Sequence, residues 1–286
     1  MRNNEDRLGT KSIHADAPPQ TKEAQTGASF SFSTPTEFVE LPSRGRYYPE
    51  GHPLNGKGEI EIRHMTAKDE DILTSETLIR KGLAIERLLQ NVIVDKNIDI
   101  KGMLIGDKNA MVIATRITGY GAEYRTQVAC PSCFKNVEQT FNLEEQTIYY
   151  ANNEDLDKND IEIASNGTFI MTVPISKARV GVRLMTGHDE DYLTKLSESK
   201  RKNKLPESGL TDQLRRMIIS VNGDSSGKMI SSFIDHMPAM DSRYLRISYQ
   251  KVVPDIKLAQ EFSCASCGHA QELEVPFTVD FFWPRQ

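Results

Sequence analysis

The chain has four cysteines, in two pairs of identical spacing: Cys130-Pro-Ser-Cys133 and Cys264-Ala-Ser-Cys267. Two thiolates two residues apart across a tight turn converge on one ion, and a second such turn completes the tetrahedral four-sulfur shell that zinc accepts. Such a shell has no open position for water or substrate, so its chemistry is structural rather than Lewis-acid catalysis. Cys130, Cys133, Cys264 and Cys267 are therefore the expected ligands of one structural zinc. The competing reading is four ordinary buried thiols. Disulfides are disfavoured, because the opening residues Met1-Arg-Asn-Asn-Glu-Asp6 mix acids with bases and lead into no apolar run, unlike an export signal, and thiols persist in a reducing compartment.

Other residue patterns with chemical potential are weaker. His188-Asp-Glu190 has the His-x-Glu form of zinc deaminases and is followed by Cys264-x-x-Cys267, but Ser263 stands where that signature has proline and Lys68 stands at the matching place earlier in the chain. His269 follows the second pair, where the first pair has Lys135, so a solvent-exposed histidine is expected rather than a fifth ligand. No phosphate-binding glycine loop, His-Glu-x-x-His or Gly-x-Ser-x-Gly occurs. Lys200-Arg-Lys-Asn-Lys204 could touch phosphate, but beside Glu198 and Glu207 it reads as a solvated insertion. Phe281-Phe-Trp-Pro284 reads equally as an interface anchor or as the close of a core strand. No catalytic constellation emerges, so the expected protein is not an enzyme.

The elements that must position the cysteines come from an internal repeat. Ile62-Arg-His-Met-Thr-Ala-Lys-Asp-Glu-Asp-Ile-Leu-Thr74 aligns with Val182-Arg-Leu-Met-Thr-Gly-His-Asp-Glu-Asp-Tyr-Leu-Thr194 at a constant offset of 120. Asp107, Cys130, Cys133 and Glu138 align with Asp241, Cys264, Cys267 and Glu272 at an offset of 134. The difference of 14 implies an insertion in the second half, for which the polar residues 197–208 are the natural place, since loops absorb insertions at little cost. Each half starts with a short alternating strand (Glu59-Ile-Glu-Ile-Arg63; Val180-Gly-Val-Arg183), followed by a helix capped by Thr66 or Thr186 with Asp69 or Asp189 three residues on. The first of these helices is expected to break near Gly82. Asp107 and Asp241 are expected caps of a second helix, and each cysteine pair is expected at the tip of a hairpin.

The expected fold is therefore α+β: two tandem diverged copies of a small module, joined by a shared four-cysteine, zinc-ribbon-like site and preceded by a flexible arm. Residues 1–36 form the polar arm, residues 37–150 the first module and residues 151–166 an acidic linker; residues 167–286 form the second module. With 286 residues and 38% hydrophobic content the chain can supply a core, and a net charge of -5 gives no global pull toward nucleic acid or anionic membrane. No stretch reaches membrane-spanning length.

Leu41-Pro-Ser-Arg-Gly-Arg-Tyr-Tyr-Pro49, then Met65-Thr-x-x-Asp-Glu-Asp71, then Leu104-Ile-Gly-Asp107 through Tyr120-Gly121 to Cys130-Pro-Ser-Cys133 resembles the baseplate hub assembly proteins of T-even-like contractile-tailed bacteriophages. The resemblance covers residues 38–145, and the second half echoes it. It implies a non-enzymatic structural or assembly role at the hub of the tail baseplate. The location would be the virion, with assembly in the host cytoplasm. The partners would be other tail and baseplate proteins, with no membrane, nucleic acid or small-molecule substrate. The alternative is a zinc-ribbon nucleic-acid-binding or transcription-associated factor, which would bind through Lys200–Lys204 with strong salt dependence.

Overall fold

The computed structural model describes residues 33–151, 156, 161–164, 167–277 and 281–283. The expected arm lies outside the described residues up to position 32, as does most of the expected acidic linker. Leu156 within the linker is nevertheless buried, and residues 161–163 at its far end form a strand.

In the first half β1 (Thr36–Glu40) pairs antiparallel with β2 (Glu59–Arg63). The Ile-Glu-Ile alternation of β2 turns Ile60 and Ile62 inward. Three short helices follow: α1 (Ala67–Thr74), α2 (Glu76–Arg80) and α3 (Ala84–Val92), with the break at Gly82, whose φ of +67° suits glycine. Helix α4 (Ile105–Tyr120) then leads into the hairpin β3 (Glu123–Ala129) and β4 (Asn136–Asn142), and on to β5 (Thr147–Tyr149).

The second half contains an antiparallel sheet in the order β6 (Ile161–Ile163), β7 (Phe169–Thr172), β8 (Arg179–Val182), β9 (Ile218–Val221). Helices α5 (Gly187–Lys202) and α6 (Gly209–Met217) connect β8 to β9. They are followed by α7 (Gly227–His236), α8 (Ala239–Val252), β10 (Asp255–Lys257) and the hairpin β11 (Ala259–Ser263) with β12 (Ala270–Glu274). The extra length of this half is not confined to residues 197–208. Residues 197–202 continue α5, and more of it lies in α7, where the first half has only the single turn Ile100–Gly102.

A buried aspartate organises the entry to the first helix of each half. Asp69 accepts a two-pronged bond from Arg63 (Nη1 to Oδ2 2.6 Å, Nη2 to Oδ1 2.9 Å), bonds from the Thr66 N–H and hydroxyl (2.8 and 2.9 Å) and one from Asn91 (2.6 Å). Asp189 accepts the same fork from Arg183 (2.8 and 2.7 Å) and the Thr186 N–H (3.0 Å), with Arg216 Nε (2.9 Å) in the role of Asn91. Strand end, helix start and a later helix are thus tied to one carboxylate.

Asp107 and Asp241 do not cap their own helices; the cap positions are Leu104 and Pro238, and each aspartate lies in the first turn. Each reaches instead across the chain to a distant loop. Asp107, buried, accepts from Ser43 N–H (2.9 Å), Ser43 hydroxyl (2.6 Å) and Tyr48 hydroxyl (2.7 Å), and burial raises its pKa against those bonds. Asp241 accepts from the N–H groups of Ile175 (2.7 Å) and Ser176 (2.9 Å). The positive end of each helix favours a carboxylate there, and the loop supplies the donors.

The halves share their cores. One core joins Leu41, Ile62, Met103 and Met111 to Phe169, Val180, Leu245 and Val252; the other joins Leu88, Ile113, Tyr124 and Phe141 to Leu258, Phe262, Phe281 and Phe282. Backbone bonds bind the halves directly: Ile105 N–H to Met185 O (3.2 Å), Gly187 N–H to Met103 O (3.0 Å), and the β5–β10 pair. Gly106 has no room for a side chain, since a Cβ would lie 1.9 Å from the Pro254 carbonyl oxygen.

Burial opposes ionisation of Asp69, but the Arg63 fork and the Thr66 and Asn91 donors hold its pKa at about 2, below the usual 3.8; Asp189 is likewise depressed. A depressed carboxylate stabilises the fold above its unfolded pKa and loses that contribution as pH falls through the folded one. Thermal unfolding should therefore fall steeply from about pH 4 toward pH 2. Asp69→Asn should cost about 3 kcal/mol at neutral pH and flatten that acid limb. An unchanged acid limb in the variant would contradict the role given to Asp69.

Candidate metal centre

The cysteine pairs sit at the tips of the β3–β4 and β11–β12 hairpins, as their flanking alternation predicts. Along β3 the side chains of Tyr124, Thr126 and Val128 turn inward, and Cys130 continues that row; on β11, Phe262 and then Cys264 do the same. The first cysteine of each pair is consequently buried. Of the second, Cys133 is half-buried and Cys267 exposed.

The two turns have the same backbone. Cys130 N–H donates to Lys135 O (2.9 Å) and Phe134 N–H to Cys130 O (2.8 Å); Cys264 N–H donates to His269 O (2.9 Å) and Gly268 N–H to Cys264 O (2.8 Å). The residue after the second cysteine is left-handed in both, Phe134 at φ +59° and Gly268 at φ +69°.

The turns face each other so that the four sulfurs lie within 4.8 Å of one another. The contacts cross between hairpins: Cys130 Sγ to Cys267 Sγ is 3.7 Å, and Cys133 Sγ to Cys264 Sγ is 3.7 Å. That is too long for a disulfide of about 2.05 Å. It matches the edge of a sulfur tetrahedron, roughly 3.8 Å when each metal–sulfur bond is about 2.3 Å. The donor set, its number and its spacing all fit zinc.

The thiols are unequal without a cation. The Cys133 N–H aimed at Cys130, with help from the Ser132 N–H and adjoining sulfurs, outweighs burial and draws the Cys130 pKa down to about 6. Cys267 goes up to about 11: the His269 N–H favours its thiolate, but desolvation and the neighbouring sulfurs outweigh it. Four sulfurs this close cannot all ionise alone, and a divalent ion at their centre removes that conflict.

The other residues singled out in the sequence lie elsewhere. His269 Nε2 pairs with Gln271 Oε1 (3.1 Å), outside the sulfur group. His188, exposed at the start of α5, faces Asp99 at 3.3 Å. In the basic run, Lys200 is held by Asp212 (2.6 Å) and Ser208. Phe281 and Phe282 are buried in the core behind the sulfurs, but in a turn rather than a strand, and Trp283 Nε1 donates to Leu73 O (3.0 Å).

Sequence reasoning missed the group that pins this C-terminal segment. Arg116, buried in α4, donates to the carbonyls of Phe281 (2.6 Å), Gly121 (2.7 Å) and Glu123 (3.1 Å). It forms no salt bridge among the described residues, and the carbonyl-rich end of α4 carries its charge. The one available signal was a lone arginine among the apolar residues of that helix.

A family model described as T4 bacteriophage base plate protein matches residues 35–283, across both halves and both cysteine pairs. Comparison with curated proteins and with solved structures returns no match.

Proposed function

The chain belongs to the T4 bacteriophage base plate protein family, and from that premise we propose that it is a non-enzymatic structural or assembly protein of the baseplate hub, working through protein–protein contacts. Its location is the virion tail, after assembly in the host cytoplasm, and its partners are other tail and baseplate proteins. No described helix is long and apolar enough to cross a membrane. The tethering of Lys200 by Asp212 leaves the nucleic-acid alternative without a free basic run.

The observation that carries this reading is the four-sulfur group. Cys130, Cys133, Cys264 and Cys267 hold one structural zinc, supported by the 3.7 Å cross contacts and the matching turns. A closed thiolate shell braces and does not catalyse. The two halves, residues 37–150 and 167–286, are diverged copies of one module, with 151–166 between them and 1–36 ahead. Support comes from the paired Arg63–Asp69 and Arg183–Asp189 forks, the loop contacts of Asp107 and Asp241, and the two identical turns.

Zinc binding of this kind contributes on the order of 10 kcal/mol to folding. The purified chain should contain one zinc, and Cys130→Ser with Cys264→Ser should lose it together with most of the resistance to thermal unfolding. A metal-free wild type as stable as the variant would overturn the site.

The role itself is tested by quantitative mass spectrometry of baseplates and assembly intermediates purified from infected cells. The chain should appear in fixed ratio to hub components. Its absence from both would overturn the baseplate role, whatever the metal result.

A further inference from the structure

The two sulfur-bearing turns differ at one position that their shared backbone makes costly. Phe134 and Gly268 both follow the second cysteine and both adopt a left-handed conformation. Glycine takes it without penalty; a bulky side chain does not. Phe134 is moreover 81% exposed, more than any other exposed large hydrophobic residue among those described. Nothing within the described chain offsets either cost, and strain of this kind persists where function requires it.

The surroundings are those of an interface centre. Besides the sulfurs, the two turns, Cys130-Pro-Ser-Cys-Phe-Lys135 and Cys264-Ala-Ser-Cys-Gly-His269, contain no acid, and Lys135 and His269 are their only basic groups. Pro131, Ser132, Ala265, Ser266 and Gly268 are exposed and small or neutral. An aromatic side chain protruding from a surface poor in charge has the composition of a binding hot spot. Its base is tied down by two hairpins, so little ordering is lost on docking.

Resting on the baseplate role proposed above, we infer that Phe134 is an anchor inserted into a neutral, apolar pocket of a different baseplate protein. A second copy of this chain fits less well. One groove of about 590 Å³ is lined in part by Lys251, Asp255, Lys257 and Glu274. Another of about 470 Å³ is lined in part by Lys57, Glu59, Glu61 and Asp95. Both set charges where the aromatic ring would need apolar walls.

The test uses Phe134→Gly, which gives the first turn the residue the second already has, and Phe134→Ala, each introduced into the phage. The purified variants should keep the metal content and thermal midpoint of wild type, with Phe134→Gly equal or higher. Their amount per purified baseplate, or the infectious titre, should fall at least about tenfold, as for a hot-spot truncation. Full incorporation and titre would overturn the anchor. Loss of metal or of thermal stability would make Phe134 structural and overturn it equally. Wild-type dimerisation by light scattering, abolished in the variants, would make a second copy the occupant and overturn the inference as stated. Wild-type chain missing from the baseplates would overturn the baseplate role and this inference with it, a result that a variant-only loss does not resemble.

Discussion

Four sulfur atoms from turns far apart in sequence crowd within 4.8 Å, and in that arrangement they repel once ionised. The split between Cys130, drawn toward ionisation, and Cys267, pushed away from it, expresses that frustration. Much of the architecture behind them keeps the two hairpins facing each other. Tyr124, Phe141, Phe262 and Phe282 fill the space under the turns, so the sulfurs sit on a packed base rather than at the ends of free ribbons.

That base also explains why the halves are not independent. Arg116 spends its donors on carbonyls at the end of α4, at the start of β3 and at Phe281, so the last described residues are clamped to the middle of the first half. The strand-like contact of residues 103–105 with 185–187 and the β5–β10 pair make the same connection on the other core. The proposed zinc would then be the final brace of an interface already formed by packing. Such a rigid body suits a component whose work is to hold neighbours in place.

Much of this was legible in the sequence because it depended on short-range spacing. The cysteine turns, the Thr-x-x-Asp helix starts and the break at Gly82 are local, and all appear where their residues predict. The aspartates of the second helices were misread because their partners are remote: Asp107 looks like a cap until Ser43, 64 residues earlier, is seen to donate to it. The same holds for Arg116, whose acceptor at Phe281 is 165 residues away. The placement of the extra length in α7 was hidden too, since a polar run reads as a loop even when, as at residues 197–202, it continues a helix. Phe134 is a different case: its type was visible, but its left-handed backbone was not.

The most direct test of the proposed shared metal is X-ray absorption at the zinc edge on the purified full-length chain. The account predicts four sulfur neighbours at about 2.3 Å and no nitrogen or oxygen in the shell. Two sulfurs completed by nitrogen or oxygen would mean that each ion is held by one turn alone, and would contradict a single site joining the two halves.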